Sequence, residues 1–512
     1  MADKHESITA GDEKPDSWHL ETETEKQTQL SREQQIIADF PEQKSKKLLR
    51  KVDLRLLPPL IALYLLSYID RANIGNANIE GMSEDLRLNG QQYNVVLSIF
   101  FVTYIVFEIP SNYILERFFQ NRPSLWIAII TFLWGAMMTL HGIANNYATL
   151  LVVRLLMGVF EAGLFPGAIV ILNKWYSKFE LGTRFSLFYI GAALAGAFSG
   201  IMAYGFAKMD GIGGLEGWRW IFIMEGLITV VMGAAAPFIL PDSPRAKTTK
   251  RWMDESEAEY ILARLSVQDG GAEAQSEGAK ISRKVVWSVI TDWQIYLIVL
   301  IYWSNTVPNY GLKFMMPQII TNMGYTASTA QLLTIPPYIA GAISAYILGR
   351  FSDYFKRRAY FIAGPQIVLI ISYAILTPLA PRISENIGPS FFAIILANVG
   401  IYPINPGATS WLSNNLAGPA KRAIGIAYAV SLTNVGGIFA SYIFLDSEEP
   451  AYPTGFGTTI AMVILGLVAV VCLEGGYVAI NRRRDGAMES GLAEDIDARA
   501  VGDRAVSFRY TL

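Results

Sequence analysis

Long apolar stretches recur along this chain, each bounded by a short polar or charged segment. An α-helix needs about 20 predominantly apolar residues to cross the hydrocarbon core of a bilayer. Six such windows lie in the first half, at Leu56–Ile74, Tyr93–Leu115, Ser124–Ala144, Tyr147–Leu172, Phe185–Ala207 and Trp220–Leu240. After a polar gap six more follow, at Trp293–Ile320, Ala330–Leu348, Tyr360–Leu379, Phe391–Trp411, Ala423–Leu445 and Gly457–Ile480. Several are interrupted by Gly, Pro, Ser or Asn, which a spanning helix tolerates where neighbouring helices or a water-filled cavity satisfy its backbone. The pattern predicts an all-α membrane protein of twelve transmembrane helices in two six-helix bundles. The bundles cover residues 51–240 and 291–481, with a central loop over 241–290 and tails over 1–50 and 482–512.

Charge in the connections orients the bundle. Lys44, Lys46, Lys47, Arg50, Lys51 and Arg55 precede or open the first window. The loops after windows two, four, eight and ten carry Arg117 and Arg122; Lys174, Lys178 and Arg184; Lys356, Arg357 and Arg358; and Lys421 and Arg422. Those after windows three, seven and eleven carry no Lys or Arg. The positive-inside rule then puts both termini and the central loop in the cytosol, and Arg482, Arg483 and Arg484 agree. The first forty or so residues are polar and mixed in charge, lack the apolar run of a cleavable signal, and read as a disordered tail. In the central loop, Asp254-x-x-Glu257 ahead of Ala258, Ile261, Leu262 and Leu265 is a capping-box pattern. It predicts a short amphipathic helix along the cytosolic face, joining the halves.

Composition excludes the alternatives to a membrane fold. Of 512 residues, 52% are hydrophobic and 17% charged, too little charge to cover several soluble domains. A net charge of −2 gives no nucleic-acid footprint. The lone Cys472 permits no internal disulfide or thiol–metal cluster, and His5, His19 and His141 are scattered surface candidates. No phosphate-cradling Gly-rich loop or His-Glu-x-x-His run is present, so neither an enzyme nor a cofactor is expected.

Charges within a bilayer span cost a few kcal/mol each, which makes them functional candidates. Asp70 and Arg71 close the first window at its outer end. Arg154 and Glu161 lie two turns apart in the fourth and so share a face. A guanidinium grips a carboxylate through two parallel hydrogen bonds, and a carboxyl group beside a low-dielectric cavity can carry a proton. That pairing assigns Arg71 and Arg154 to an anionic substrate, with Asp70 and Glu161 as proton carriers. The alternatives are a structural Arg154–Glu161 pair and an Asp70 bathed in outer-face water. Glu108 and Glu225 read as acids bracing neighbouring helices, Glu474 lies near the end of window twelve, and Lys313 snorkels or marks a broken helix.

Two connections look alike. Gly349-Arg350-Phe351-Ser352-Asp353-Tyr354-Phe355-Lys356-Arg357-Arg358 resembles the Gly-x-x-x-Asp-x-x-x-Arg-Arg loop of the major facilitator superfamily. Asn112 to Arg117 resembles a decayed copy, with Glu116 in the Asp place. Further motifs occur in order: Asp70-Arg71-Ala72-Asn73-Ile74-Gly75-Asn76-Ala77; Glu108-Ile109-Pro110-Ser111-Asn112; Arg154-x-x-x-Gly158-x-x-Glu161-Ala162-Gly163-x-x-Pro166-Gly167; Gly217-Trp218-Arg219-Trp220; Leu240-Pro241-Asp242-Ser243-Pro244; Trp411-x-x-Asn414-Asn415; and Lys421-Arg422-Ala423. Together they resemble the fungal allantoate-permease branch of the anion:cation symporters, carriers of allantoate, nicotinate, pantothenate, biotin and similar carboxylated nutrients.

The resemblance implies the same substrate and proton roles for Arg71, Arg154, Asp70 and Glu161. It also implies that windows seven and eleven face the cavity, where Asn305, Tyr310, Asn434 and Ser431 would bond substrate, helix packing being the equal alternative. Tyr68 and Tyr104 are cavity-lining or packing aromatics. Gly349, Asp353, Arg357 and Arg358, and more weakly Glu116 and Arg117, would latch a cytosolic gate or serve only as topology anchors.

The expected function is proton-coupled uptake of a small organic anion across the plasma membrane by a monomer whose partners are the anion, protons and the lipid bilayer. An exporter of a secondary metabolite is the alternative. Many proton-coupled exporters of this superfamily bend helix 5 with a Gly-Pro pair, whereas Gly191 to Gly200 here contains no Pro. Tags placed at the N-terminus, between Ser266 and Gly278, and at the C-terminus should all resist outside reagents in intact cells; labelling of any one overturns the orientation.

Overall fold

The computed structural model describes residues 32–176, 178–246, 249–268, 283–417, 419–489, 503 and 508–512. Among them the regular structure is helical and no strand occurs. The long helices are α1 (Glu42–Ile79), α2 (Gly90–Phe118), α3 (Pro123–His141), α4 (Tyr147–Asn173), α5 (Lys178–Ala207) and α6 (Gly217–Ile239). They continue as α7 (Trp293–Asn322), α8 (Ala327–Phe355), α9 (Arg358–Leu379), α10 (Ile387–Asn415), α11 (Pro419–Ala440) and α12 (Pro453–Glu489). Among the described residues nine are long and apolar enough to cross a membrane: α1 to α4, α6, α8 to α10 and α12. In α5 and α11 only shorter apolar stretches qualify, Leu194–Ala207 and Ile424–Ala440. The thirty-residue α7 is interrupted by Asn305, Lys313, Pro308 and Pro317, all buried inside the bundle. A helix wrapped by other helices can carry such residues because they never meet lipid.

Local chemistry sets the helix ends. Asn89 and Gln92 form a reciprocal capping box at the start of α2, and the Asn146, Asp292 and Thr326 side chains cap α4, α7 and α8. The helical run of α4 breaks at Ala162–Gly163, directly after Glu161. In α1 the hydropathy window ends at Ile74, but the helix runs on to Ile79 with Asp70, Arg71, Asn73 and Asn76 all buried. Asp70 therefore does not sit in water at an outer end.

The segments outside the bundle differ from expectation in two places. Residues 32–39 and Glu42 onward are helical, so the stretch before residue 51 is not uniformly disordered, while 1–31 lie outside the described residues. The capping box at Asp254 does open a helix, Glu255–Gln268, with the Asp254 N–H donating to Glu257 at 3.2 Å. This helix packs on the first half rather than joining the two. Its Tyr260 stacks on Phe40 at 4.0 Å and hydrogen-bonds Ser45 at 2.7 Å, Glu257 pairs with Lys51 at 2.8 Å, and Ile261 shares a core with Leu48, Val52 and Trp175.

The two halves meet along the side that carries the α1–α2, α7–α8 and α11–α12 connections. There Gln331 donates to Glu80 at 2.9 Å and Ser98 bonds Tyr442 at 3.0 Å. A Cβ on Gly75 would stand 2.6 Å from the Phe314 carbonyl oxygen, and one on Gly437 would strike the Phe101 ring. Deeper in, Ser431 of α11 donates to Glu108 of α2 at 3.3 Å. Beyond that level Tyr113, Phe118, Tyr354 and Phe355, at the opposite ends of α2 and α8, are exposed.

Within the first half α3 and α6 cross on glycines. A Cβ on Gly135 would lie 2.7 Å from the Val230 nitrogen and one on Gly233 2.6 Å from the Phe132 nitrogen, and Gly226 lies against the Thr139 backbone. Small residues let helix backbones approach closely, and the van der Waals packing so gained is one of the forces that associate helices in lipid. Gly226→Val should therefore cost about 1–3 kcal/mol through overpacking and lower the monodisperse fraction of solubilised protein. Gly364→Ala, which meets open space, should not, and equal recovery of the two variants contradicts this account of the crossing.

Candidate functional site

Of the charged residues singled out in α1 and α4, Arg71 and Glu161 come together directly. Successive helical residues diverge by about 100°, so Asp70 and Arg71 face different neighbours. Ser67 and Arg71, one turn apart, both turn towards α4. Glu161 Oε1 accepts from Ser67 Oγ at 2.5 Å, from Arg71 Nε at 2.7 Å and from Arg71 Nη2 at 2.6 Å. Its other oxygen has no hydrogen-bond partner. The acid of α4 is thus held by Arg71 of α1, and the Arg154–Glu161 pair considered from sequence is replaced by Arg71–Glu161.

Arg154 is fully buried without a paired acid among the described residues. Its Nη1 contacts the Met157 sulfur at 3.6 Å and its guanidinium lies 4.9 Å from the Phe100 ring centroid, while Nε and Nη2 have no hydrogen-bond partner. Phe100 also stands 5.2 Å from the Arg71 guanidinium, which is flanked by Tyr68 at 5.0 Å and Tyr104 at 4.9 Å. Ring faces stabilise cations when water is excluded, so this aromatic wall partly offsets the loss of hydration.

The second half closes the group through α7. Tyr310 accepts a hydrogen bond from Arg71 Nη1 at 3.2 Å, and its ring packs on Phe101 at 4.7 Å. Lys313 is buried rather than snorkelling. Its Nζ donates to the Tyr68 carbonyl at 3.3 Å and lies 4.4 Å from the Tyr68 ring. Three cationic side chains thus surround one directly paired carboxylate.

Asp70 belongs to another layer. Its Oδ2 accepts from Trp134 of α3 at 2.8 Å and Thr229 of α6 at 3.4 Å, leaving Oδ1 without a partner. One turn before Thr229 lies Glu225, fully buried, with neither oxygen bonded. His141 is likewise no surface histidine. It is buried, with Nδ1 2.8 Å from the Met137 carbonyl and its ring stacked on Phe222. Asn305 donates to the Ile401 carbonyl of α10 at 2.5 Å, which is the packing alternative, and Asn434 is half-buried in α11.

The loop motif forms its charge cluster within the second half. Asp353 pairs with Arg358 at 2.6 Å, Arg358 also donates to Ser352 at 3.0 Å, and Arg357 stands 4.0 Å from Glu474 of α12. Gly349 is exposed and a Cβ there would touch nothing. The decayed copy is not clustered: Glu116 and Arg117 are both exposed and pair with no described residue. Ser67, Phe100, Trp134 and Thr229 were not expected. Ser67 carried a signal, being polar and one turn from Arg71, whereas Phe100 and Trp134 are ordinary in apolar helices.

Comparison with known proteins places the fold. The model of the Major Facilitator Superfamily matches residues 60–441. The chain belongs to the major facilitator superfamily. The MFS-type transporter cnsO of Penicillium expansum is 37% identical over 478 residues, covering 91% of this chain and 90% of that protein. Transporter C1002.16c of Schizosaccharomyces pombe is 34% identical over 466 residues, with 91% and 90% covered. Among solved structures, the proton:xylose symporter XylE bound to 6-bromo-6-deoxy-D-glucose superposes with a TM-score of 0.62 at 14% identity, covering 81% of this chain and 94% of that one. At that identity the likeness concerns the fold.

A major facilitator member is an integral membrane transporter and not an enzyme, and its moving parts are the two halves. In this member Asn305 ties α7 to α10 inside one half. Asn305→Ala should accordingly lower thermal stability of the purified protein by about 1 kcal/mol, the net worth of a buried hydrogen bond. An unchanged melting profile would release Asn305 from the structural role.

Proposed function

We propose that the protein is a proton-coupled carrier that takes a small organic anion into the cell across the plasma membrane, through twelve spanning helices with both termini in the cytosol. The observation that carries this reading is Arg154: a fully buried guanidinium with two nitrogens unpartnered, beside an Arg71 whose acid is shared with Ser67. An isolated buried cation is expensive unless a counter-charge arrives, and a carboxylate is the ligand that fits a planar fork. Lys313 adds to the positive surplus. The substrate class is the carboxylated nutrients of the allantoate-permease branch, supported by the ordered motifs of α1, α2, α4 and α6.

Coupling follows from competition for one cation. Glu161 and an anionic substrate both seek Arg71. When Glu161 takes a proton, its hold on Arg71 weakens and the guanidinium turns to the substrate. When the proton leaves, the pair re-forms and expels the anion. Binding of the proton and of the anion are then positively linked, each strengthening the other. Asp70, bonded by Trp134 and Thr229 on the far face of α1, is a second proton carrier that reports to the α1–α3–α6 packing rather than to the substrate. Asp353, Arg357 and Arg358, with Gly349, Glu116 and Arg117, form the gate on the cytosolic side, and Tyr310 and Asn434 complete the substrate lining.

The test is uptake of labelled small carboxylates in a host without its own permeases, with and without a proton gradient. Arg154→Lys keeps the charge and loses the fork, so affinity should fall roughly ten- to hundredfold, the value of about 1.5–3 kcal/mol in charged hydrogen bonds. Glu161→Gln should abolish gradient-driven accumulation while anion exchange survives. Loss of surface expression in both variants, with normal affinity in what remains, would reduce Arg154 and Glu161 to structural roles.

A further inference from the structure

The Trp411-x-x-Asn414-Asn415 and Lys421-Arg422 patterns take no part in the site above, yet Trp411 and Asn415 at the end of α10 are fully buried. Their partner is the segment Phe508–Leu512. Asn415 matches Thr511 group for group: the Thr511 N–H donates to Asn415 Oδ1 at 2.7 Å and Asn415 Nδ2 donates to the Thr511 carbonyl at 3.0 Å. Trp411 Nε1 donates to that carbonyl as well, at 2.8 Å. One residue earlier, Asn481 of α12 treats Tyr510 identically, accepting from its N–H and donating to its carbonyl, both at 2.9 Å. A side-chain amide offers the donor and acceptor that one backbone residue needs. Two asparagines set for successive residues make a peptide receptor.

Side chains add to the backbone reading. The Tyr510 ring is buried, stacks on Tyr477 at 4.6 Å and lies 4.8 Å from the Arg484 guanidinium. Asp503 provides a second anchor, paired with Lys421 at 2.9 Å, and Lys421 also holds Asp292 at the start of α7 at 2.7 Å. Leu512 then reaches the gate loop, its carbonyl accepting from the Arg358 N–H at 3.0 Å.

We propose that the ends of α9, α10 and α12 form a docking site for the chain's own Phe508–Leu512 segment, and that occupancy of this site holds the α8–α9 loop so as to favour the arrangement sealed at Ser98–Tyr442. The coupling runs through one residue. With Leu512 on its backbone, Arg358 is placed to pair with Asp353 inside its own half. Asp353 is 71% exposed, and release of the segment frees it to meet basic groups of the other half, of which Arg117 is exposed and unpaired among the described residues. Charge contacts on that side would draw the halves together there and part the seal opposite.

Both steps are testable on purified full-length protein in detergent, without knowledge of the solute or of membrane orientation. A zero-length carbodiimide should join Lys421 to Asp503 in the unmodified chain, and Tyr510→Ala should reduce the product; no such product in the unmodified chain overturns docking. In a Cys472→Ser background, maleimide labelling of Ser98→Cys reports opening of the seal. Tyr510→Ala should speed it at least about threefold by population shift, Asn481→Ala should do the same from the receptor side, and Tyr510→Phe, which keeps the stacked ring but loses the hydroxyl's bonds to Gln294 and the Asp503 carbonyl, should fall between the parent and Tyr510→Ala. Unchanged labelling in both Tyr510→Ala and Asn481→Ala, measured on monodisperse protein, overturns the coupling to the gate.

Discussion

The Arg71–Glu161 pair is the constraint from which the interior of the first half follows. A carboxylate removed from water loses hydration worth many kcal/mol, and only a partner with good geometry returns it. Three donors from α1 converge on a single oxygen of Glu161, so α1 must lie against α4 at that level and Ser67 must share the face of Arg71. Gly158, one turn before Glu161, lets α2 approach: a Cβ there would stand 2.6 Å from the Phe100 carbonyl oxygen. That approach brings Phe100 within reach of both guanidiniums. The pair, the glycine and the ring are one arrangement, and Arg154 is its uncompensated remainder.

The same constraint explains how far the sequence could be read. Helix windows were legible because lipid selects for apolar length, and the order of the windows is the order of the helices. Boundaries failed where helices are enclosed by protein. α1 passes Ile74 with polar residues because Asn73 and Asn76 bond Ser199 of α5 instead of water. Burial in the polar interior was legible for Asp70, Arg71, Arg154 and Glu161, since a charge in a span is rare. Pairing within that interior was not. Arg154 and Glu161 sit two turns apart on one face, but a bridge at that spacing along one helix competes with an Arg brought in from a neighbour, and crossing geometry decides the contest. The docked segment was illegible for a different reason. Five residues are too short a run to point to a partner, and Trp411, Asn415 and Asn481, which hold them, lie far apart in sequence.

The two sides of the bundle are held by different physics. On one side glycines and aromatic rings interlock, with hydrogen bonds at Glu80–Gln331 and Ser98–Tyr442; such contacts depend on shape and vanish when helices separate by an ångström or two. On the other, exposed charges such as Asp353 and Arg117 stand ready, and their interactions fall off slowly and respond to salt and to neighbouring charge. A carrier of this superfamily alternates between two closures. Unequal glues allow each closure to be tuned separately, the packed seam by residue size and the charged one by which acids and bases are free to pair.

In the proposed proton-coupled carrier, that separation bears on how a proton would move a whole half of the molecule. Protonating Glu161 removes a charge but no volume, so it cannot by itself wedge helices apart. What it changes is the claim on Arg71, and Arg71 also donates to Tyr310 of α7 at the depth of the seam. The guanidinium thus touches both halves and the acid at once. With Glu161 charged, Arg71 is drawn towards α4. With Glu161 neutral, the proposal makes the same fork available to an anion and to Tyr310, and its balance between the halves would shift. Under the proposed coupling, a single side chain at the junction of α1, α4 and α7 would make proton, solute and interface compete for one set of hydrogen bonds, which is the least machinery that coupled alternation requires.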